Sequence, residues 1–293
     1  MKKELLLLLM LGAVGLSLYS CIRSTERQQE VLENLDVKKP VPPPNDGIVR
    51  VLFVGNSHTE YYVSLPYMFE ALCIENGKNV EIDELVVMGA SIDEILEESE
   101  DEAKELFSMT DEDGNYYDHV ILQERSVVAV LELKQYKRNC KSVMERASIN
   151  SPDAAVHVYE LMSFVEYNDS DFNYYKNEAL INSAEVANSL KNAGVLRIGS
   201  AIADAYDGIE GYEAFINGKD MLRYGENTLH LLNDGGFLSG VLLYQAIFDD
   251  LPQIPAQLPL STGIGDNDDI SMQDVNTAIS NADALLKIAA GFF

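Results

Sequence analysis

The chain has 293 residues, 47% of them hydrophobic, which suffices for one large domain or two small ones. Its formal charge of −27 makes a surface that repels polyanions, so nucleic acid and an anionic membrane face are excluded as binding partners. The four histidines are scattered without metal-ligand spacing and no phosphate-binding glycine loop occurs, so neither a metal nor a cofactor is predicted.

In chain order, Lys2 and Lys3 precede an apolar stretch, Leu5–Leu18, and residues 1–20 have the form of a signal peptide. Leu18-Tyr19-Ser20-Cys21 resembles the bacterial lipobox, in which the cysteine is lipidated and becomes the mature N-terminus; Tyr19 is unusual there. An ordinary cleaved signal peptide is the alternative. Residues 21–46 are polar, then proline-rich, and are predicted to be an extended tether. The expected location is the bacterial cell envelope, with the lipid on Cys21 as the only membrane contact.

The folded domain is predicted over 47–293. Val49–Val54 is apolar apart from Arg50, rich in β-branched residues and bounded by Gly47 and Gly55, the pattern of a buried parallel strand. Leu65–Glu75 has helical spacing. Val80–Val87 reads as a second strand, Ile92–Phe107 as an acidic helix and Val120–Gln123 as a third strand. Gln135–Ala147 reads as a helix and Ala155–Leu161 as a fourth strand. A long helix over Tyr175–Ala193, closed by Gly194, precedes a short fifth strand, Val195–Ile198. Tyr206–Leu232 reads as irregular, and helices follow at Gly240–Phe248 and Met272–Ala290. Alternating strands and helices imply an α/β fold: a three-layer α/β/α sandwich around a central five-stranded parallel sheet. Cys73 and Cys140 lie in helix-like segments, where a disulfide and two buried thiols are both open.

Gly55-Asn56-Ser57 follows the first strand directly. In an open α/β sheet, ligands bind beyond the carboxyl ends of the strands, and a serine there holds its hydroxyl over the crevice. Ser57-His58-Thr59-Glu60 equally fits S-x-x-E, a helix-capping box with no chemistry.

Four blocks in this order resemble the SGNH (GDSL-like) hydrolases: Gly55-Asn56-Ser57, Gly89, Leu122-Gln123-Glu124-Arg125-Ser126, and His230. The resemblance implies a flavodoxin-like sandwich, a Ser57 nucleophile and a His230 base. It also implies an oxyanion hole from the Ser57 and Gly89 backbone N–H groups. GNSHT followed by Leu65-Pro66, with LQERS later, most resembles an esterase-like branch of bacterial proteins. Two positions depart from the family. The acid expected three residues before the histidine is Asn227, and Arg125 stands where an oxyanion amide is expected.

A serine hydroxyl needs a base, and the base needs a third group to orient it. Asn227 orients without supplying charge. Glu226, one residue earlier, or Asp234 offers a carboxylate instead. Arg125 either stabilises an oxyanion or pairs with Glu124 or Glu60. Among the other histidines, His58 adjoins Ser57 but neighbouring helical side chains do not face each other. His119 reads as a hydrogen-bonded surface residue and His157 as a buried one. Tyr61, Tyr62 and Tyr224 either stack on a sugar ring or belong to the core; no substrate-binding residue is assigned. Two functions follow: a serine esterase removing short acyl groups such as acetyl from carbohydrate, or a glycan-binding protein on the same scaffold that has lost catalysis.

Overall fold

The computed structural model describes residues 26–112, 114–224, 230–262 and 270–293. The chain forms two compact units, 1–36 and 37–293. Within the first, residues 26–33 are helical. The leader, Cys21, Glu226 and Asn227 lie outside the described residues.

In the second unit, β1 (Val49–Gly55), β2 (Val80–Val86), β3 (His119–Leu122), β4 (Ala155–Tyr159) and β5 (Ala193–Leu196) form one sheet in the order β2-β1-β3-β4-β5. Every neighbouring pair is parallel, with Val51 of β1 opposite both Ile82 of β2 and His119 of β3. Val51, Leu52, Phe53 and Val54 are almost wholly buried, as is all of β3 and β4. Their unbroken apolar runs are those of strands covered on both faces. β2, at the edge, keeps Glu81 exposed.

The helices between strands fall into two packed groups. One contains α2 (Leu65–Glu75), α8 (Ile198–Tyr206), α9 (Asn233–Phe248) and α11 (Ala282–Ala290). The other contains α3 (Ile92–Glu98), α4 (Glu100–Ser108), α5 (Ser126–Leu131), α6 (Leu133–Ala147) and α7 (Phe172–Ala187). The five-stranded α/β sandwich expected from the sequence is present. The chain leaves β1 towards β2 on one side and returns to β3 on the other, so β1/β3 is where strand order reverses. In such sheets that is the crevice where ligands bind.

Several elements differ from their sequence pattern. The acidic helix is broken at Ser99 into α3 and α4. The long helix ends at Ala187, and Gly194 lies inside β5 instead of capping a helix. α9 begins at Asn233, ahead of the predicted start, because packing against α2 outweighs the poor helix propensity of its glycines. The predicted terminal helix from Met272 begins as a strand. β8 (Gln257–Ser261) pairs with β9 (Ile270–Asp274), followed by a single turn, α10 (Val275–Ala278), and then α11. α5 and α8 are helices absent from the sequence pattern: α5 is only six residues long, and α8 overlaps the end of the predicted fifth strand, Val195–Ile198.

The proline-rich stretch is also different from a free tether. Residues 37–46 belong to the folded unit. The Val41 N–H donates to Asn192 Oδ1 at 2.8 Å, and Asn192 Nδ2 donates back to the Val41 carbonyl at 2.7 Å. Lys39 Nζ meets Asp249 at 2.5 Å. Prolines lose little freedom on docking, which favours seating this segment. Cys73 and Cys140 are both free and buried.

Candidate active site

β1 ends at Gly55, and the single-turn helix α1 (Ser57–Glu60) follows. Its N-cap is Asn56, whose side chain accepts from the His58 N–H at 3.2 Å. Capping is therefore done by Asn56, and the Ser57 hydroxyl is left for other work. Asn56 is held from three sides. Its Nδ2 donates to the Ala90 carbonyl at 2.8 Å, and its own N–H donates to Gln123 Oε1 at 2.7 Å. Gln123 Oε1 also accepts from Thr59 Oγ1 at 3.2 Å. Gln123 thus ties the end of β3 to the turn that carries Ser57. From the sequence Gln123 reads as the last residue of a strand and as a member of the Leu122-Gln123-Glu124-Arg125-Ser126 block; its partner Asn56 stands 67 positions away, and no local pattern marks that pairing.

His230 comes from the other end of the chain. β6 (Arg223–Tyr224) pairs antiparallel with β7 (His230–Leu231), Tyr224 opposite His230, and α9 follows. Arg223 pins this pair into the core. Its side chain is 1% exposed, with Nη1 donating to the Ser163 carbonyl at 2.6 Å and Nε donating to Tyr206 Oη at 2.9 Å. Asp234, in the first turn of α9, accepts from Tyr212 Oη at 2.6 Å and from the N–H and hydroxyl of Ser280. Asp234 is consequently a buried structural anchor, not the partner of His230.

Across 173 positions of sequence, His230 Nε2 lies 2.8 Å from Ser57 Oγ. That is hydrogen-bond distance between a hydroxyl and a base. Burial pushes the His230 imidazole down to about 4, so it is neutral at neutral pH and able to take a proton. His230 Nδ1 is buried with no partner among the described residues. Glu226 and Asn227, the sequence candidates for that position, lie outside those residues.

Three aromatic rings surround the His230 imidazole: His58 at 4.8 Å, Tyr61 at 4.6 Å and Tyr62 at 6.3 Å between centroids. Tyr62 is buried, whereas Tyr224, edge-on to it at 5.2 Å, is 40% exposed. Tyr61, half-buried, lies directly against the base, and Tyr224 is the exposed ring, reaching the base through Tyr62.

Gly89 sits in the turn after β2 with φ +75°, a backbone region that glycine enters without a steric penalty. Asn56, bonded to Ala90, fixes this turn against the Ser57 turn. The Ser57 N–H, first in α1, has no acceptor within its own helix.

The Arg125 guanidinium pairs with neither Glu124 nor Glu60, the two partners the sequence offers. Its Nη1 donates to Glu94 Oε2 at 3.0 Å. Glu94 also accepts from the Ser91 N–H and hydroxyl, which with Arg125 hold its carboxyl below the usual range. An arginine so engaged is diverted from an oxyanion role. Glu124 is fully buried, accepting from the Ile92 and Arg125 N–H groups and from Asn139 Nδ2. Burial pushes its carboxyl up, while those donors act in the opposite sense. His119 is buried, not a surface residue. Its Nδ1 is 3.0 Å from His157 Nε2, a pair inside the sheet away from Ser57, with His157 pushed by burial down to about 4.

No protein-family model and no curated protein matches the sequence. Solved structures do match. A DUF4886 family protein from Bacteroides uniformis superposes with a TM-score of 0.57 at 15% identity, covering 83% of this chain and 94% of that one. The chain shares that protein's fold. Lipolytic hydrolases are also among its structural neighbours. A member of the lipolytic G-D-S-L family from Veillonella parvula has 15% identity, a TM-score of 0.49 and coverage of 69% of this chain and 100% of that one. A lipase/acylhydrolase from Enterococcus faecalis has 17% identity, a TM-score of 0.47 and coverage of 71% and 100%.

Proposed function

We propose that the protein is a serine ester hydrolase of the SGNH type. The observation that carries this reading is the 2.8 Å contact between Ser57 Oγ and His230 Nε2 at the reversal point of the sheet. Ser57 Oγ attacks the ester carbonyl while its proton passes to His230 Nε2. The Ser57 and Gly89 N–H groups stabilise the oxyanion, a role that no side-chain replacement removes. Collapse of the tetrahedral intermediate expels the alkoxide, which takes the proton from His230. Water, activated by the same imidazole, then releases the acid. The third member is Glu226 or Asn227, with Glu226 supplying charge and Asn227 orientation only.

The substrate in this reading is a short acyl ester, such as acetyl, on carbohydrate. Its support is the resemblance in four sequence blocks and the half-exposed Tyr224 ring, a surface on which a sugar face can stack. The test is a fluorophosphonate probe with mass spectrometry, alongside p-nitrophenyl acetate turnover. An adduct on Ser57 is expected. A second reading, glycan binding without turnover, draws on His230 Nδ1 having no carboxylate among the described residues. It predicts an unlabelled Ser57, so the same experiment separates the two.

The leader and Cys21 support export and lipid anchoring in the cell envelope. Cys21→Ala is expected to move the protein from the membrane fraction to the soluble fraction. Unchanged fractionation would count against the anchor.

A further inference from the structure

We propose that His58 is a positioning residue for the base: its ring lies against the His230 imidazole and holds the plane in which Nε2 meets Ser57. This rests on the hydrolase reading and adds a residue to it. His58 follows the nucleophile directly, so its side chain points away from that of Ser57. His230 stands within reach of both. The His58 and His230 rings are 4.8 Å apart and tilted by 31°, the flattest arrangement of any ring around the base; Tyr61 is tilted by 49° and Tyr62 by 71°. A face held by a flat ring cannot rotate about its χ2 without losing that contact.

Among the described residues, the His230 imidazole is restrained by Ser57 Oγ at Nε2, by the Tyr61 ring at 4.6 Å and by the more nearly parallel His58 ring at 4.8 Å. Its Nδ1, where a hydrogen bond would ordinarily set the orientation, has no partner among them. His58 Nδ1 is likewise buried without a partner among them, and the ring packs against that of His230. The single turn α1 thereby carries the nucleophile on one residue and the base's backstop on the next. Any shift of α1 moves both together.

His58 also keeps water from one face of His230. Burial is the largest cause of the descent of His58 to about 3; the titratable groups facing it, His230 when protonated and the Arg223 guanidinium, disfavour its protonation further. His58 therefore remains neutral across the working range, an uncharged plate beside a base that must itself start neutral.

The experiment compares wild type, His58→Ala and His58→Phe in full-length protein. It measures kcat and KM for p-nitrophenyl acetate, the pH dependence of kcat/KM, and fluorophosphonate labelling of Ser57. Wild type is expected to show an acid limb near pH 4, the value set by burial of His230. His58→Ala is expected to lose about 10- to 100-fold in kcat, as for an ångström-scale misplacement of a reacting group, with KM little changed. Its acid limb rises towards that of a solvated imidazole, about 6.5, because water reaches His230. His58→Phe keeps a flat ring and an apolar contact, and retains most of kcat and the low limb. A merely structural role would lower stability without moving the limb. Alanine activity and limb equal to wild type overturn the proposal. So does a phenylalanine variant as impaired as alanine, which would assign the role to the nitrogens. If His58→Ala fails to fold, His58→Leu, bulky but not flat, carries the kcat comparison against His58→Phe. An unlabelled wild type overturns the hydrolase reading itself, and this inference with it. A labelled wild type with unmoved variants overturns this inference alone.

Discussion

Ser57→Ala and His230→Ala are each expected to lower kcat for p-nitrophenyl acetate by about 10⁴-fold or more, and the double variant to fall no further. The two side chains act as one unit through their 2.8 Å contact. Alanine at 57 removes the attacking oxygen. Alanine at 230 leaves that oxygen protonated, with no acceptor in its place. Losses of this kind are strongly non-additive, because once either partner is gone the other has nothing to act on. The residual rate then comes from the backbone oxyanion donors and substrate positioning. Thermal melts should change little for Ser57→Ala, since its hydroxyl is only partly buried. Losses that multiply in the double variant would mean that the residues work separately, and a Ser57→Ala enzyme as fast as wild type would remove serine from the chemistry.

The second large effect is on the scaffold. Gly55→Val is expected to lower stability by about 3 kcal/mol, or about 6–12 °C in Tm for a domain of this size. A Cβ on residue 55 would lie 2.3 Å from Thr59 Oγ1 and 2.9 Å from Gln123 Oε1. Neither atom is free to retreat. Gln123 is 1% exposed and accepts from the Asn56 N–H, while Thr59 is 2% exposed within α1. Relief of the clash requires the β1 end to separate from Gln123, which breaks that bond and swings Ser57 away from His230. Activity should therefore fall with stability in this variant. Differential scanning calorimetry checks the first effect and p-nitrophenyl acetate turnover the second. A melt within about 2 °C of wild type would show that the turn after β1 has room to spare.

Much of this architecture was legible from near-neighbour patterns. Runs such as Val49–Val54 and Ala155–Tyr159 declare buried strands by composition alone, and the helix over Leu65–Glu75 declares itself by spacing. Boundaries failed where two signals competed. Gly194 looks like a helix cap but is a strand residue paired opposite His157. Met272 looks like the start of an amphipathic helix but is opposite Pro259 in a two-stranded sheet. Neither pairing leaves a trace in the local sequence. The histidines divide in the same way. His157 was readable as buried from the residues on either side, whereas His119 needed its long-range partner to be recognised as buried too.

By itself the sequence determined that strands and helices alternate, that Ser57 stands directly after the first strand, and that His230 is the histidine in the loop preceding a late helix. These are properties of residues a few positions apart, encoded in periodicity and turn chemistry. Only the tertiary structure decided that Asn56 caps the helix and leaves the Ser57 hydroxyl to His230, that Arg125 is taken by Glu94, that Asp234 serves Tyr212 and Ser280, and that the His58 ring lies against that of His230. Each is a choice of partner among many groups with the same hydrogen-bonding or stacking capacity. Which one wins depends on distances set by packing between elements far apart in the chain, and no local pattern carries that information.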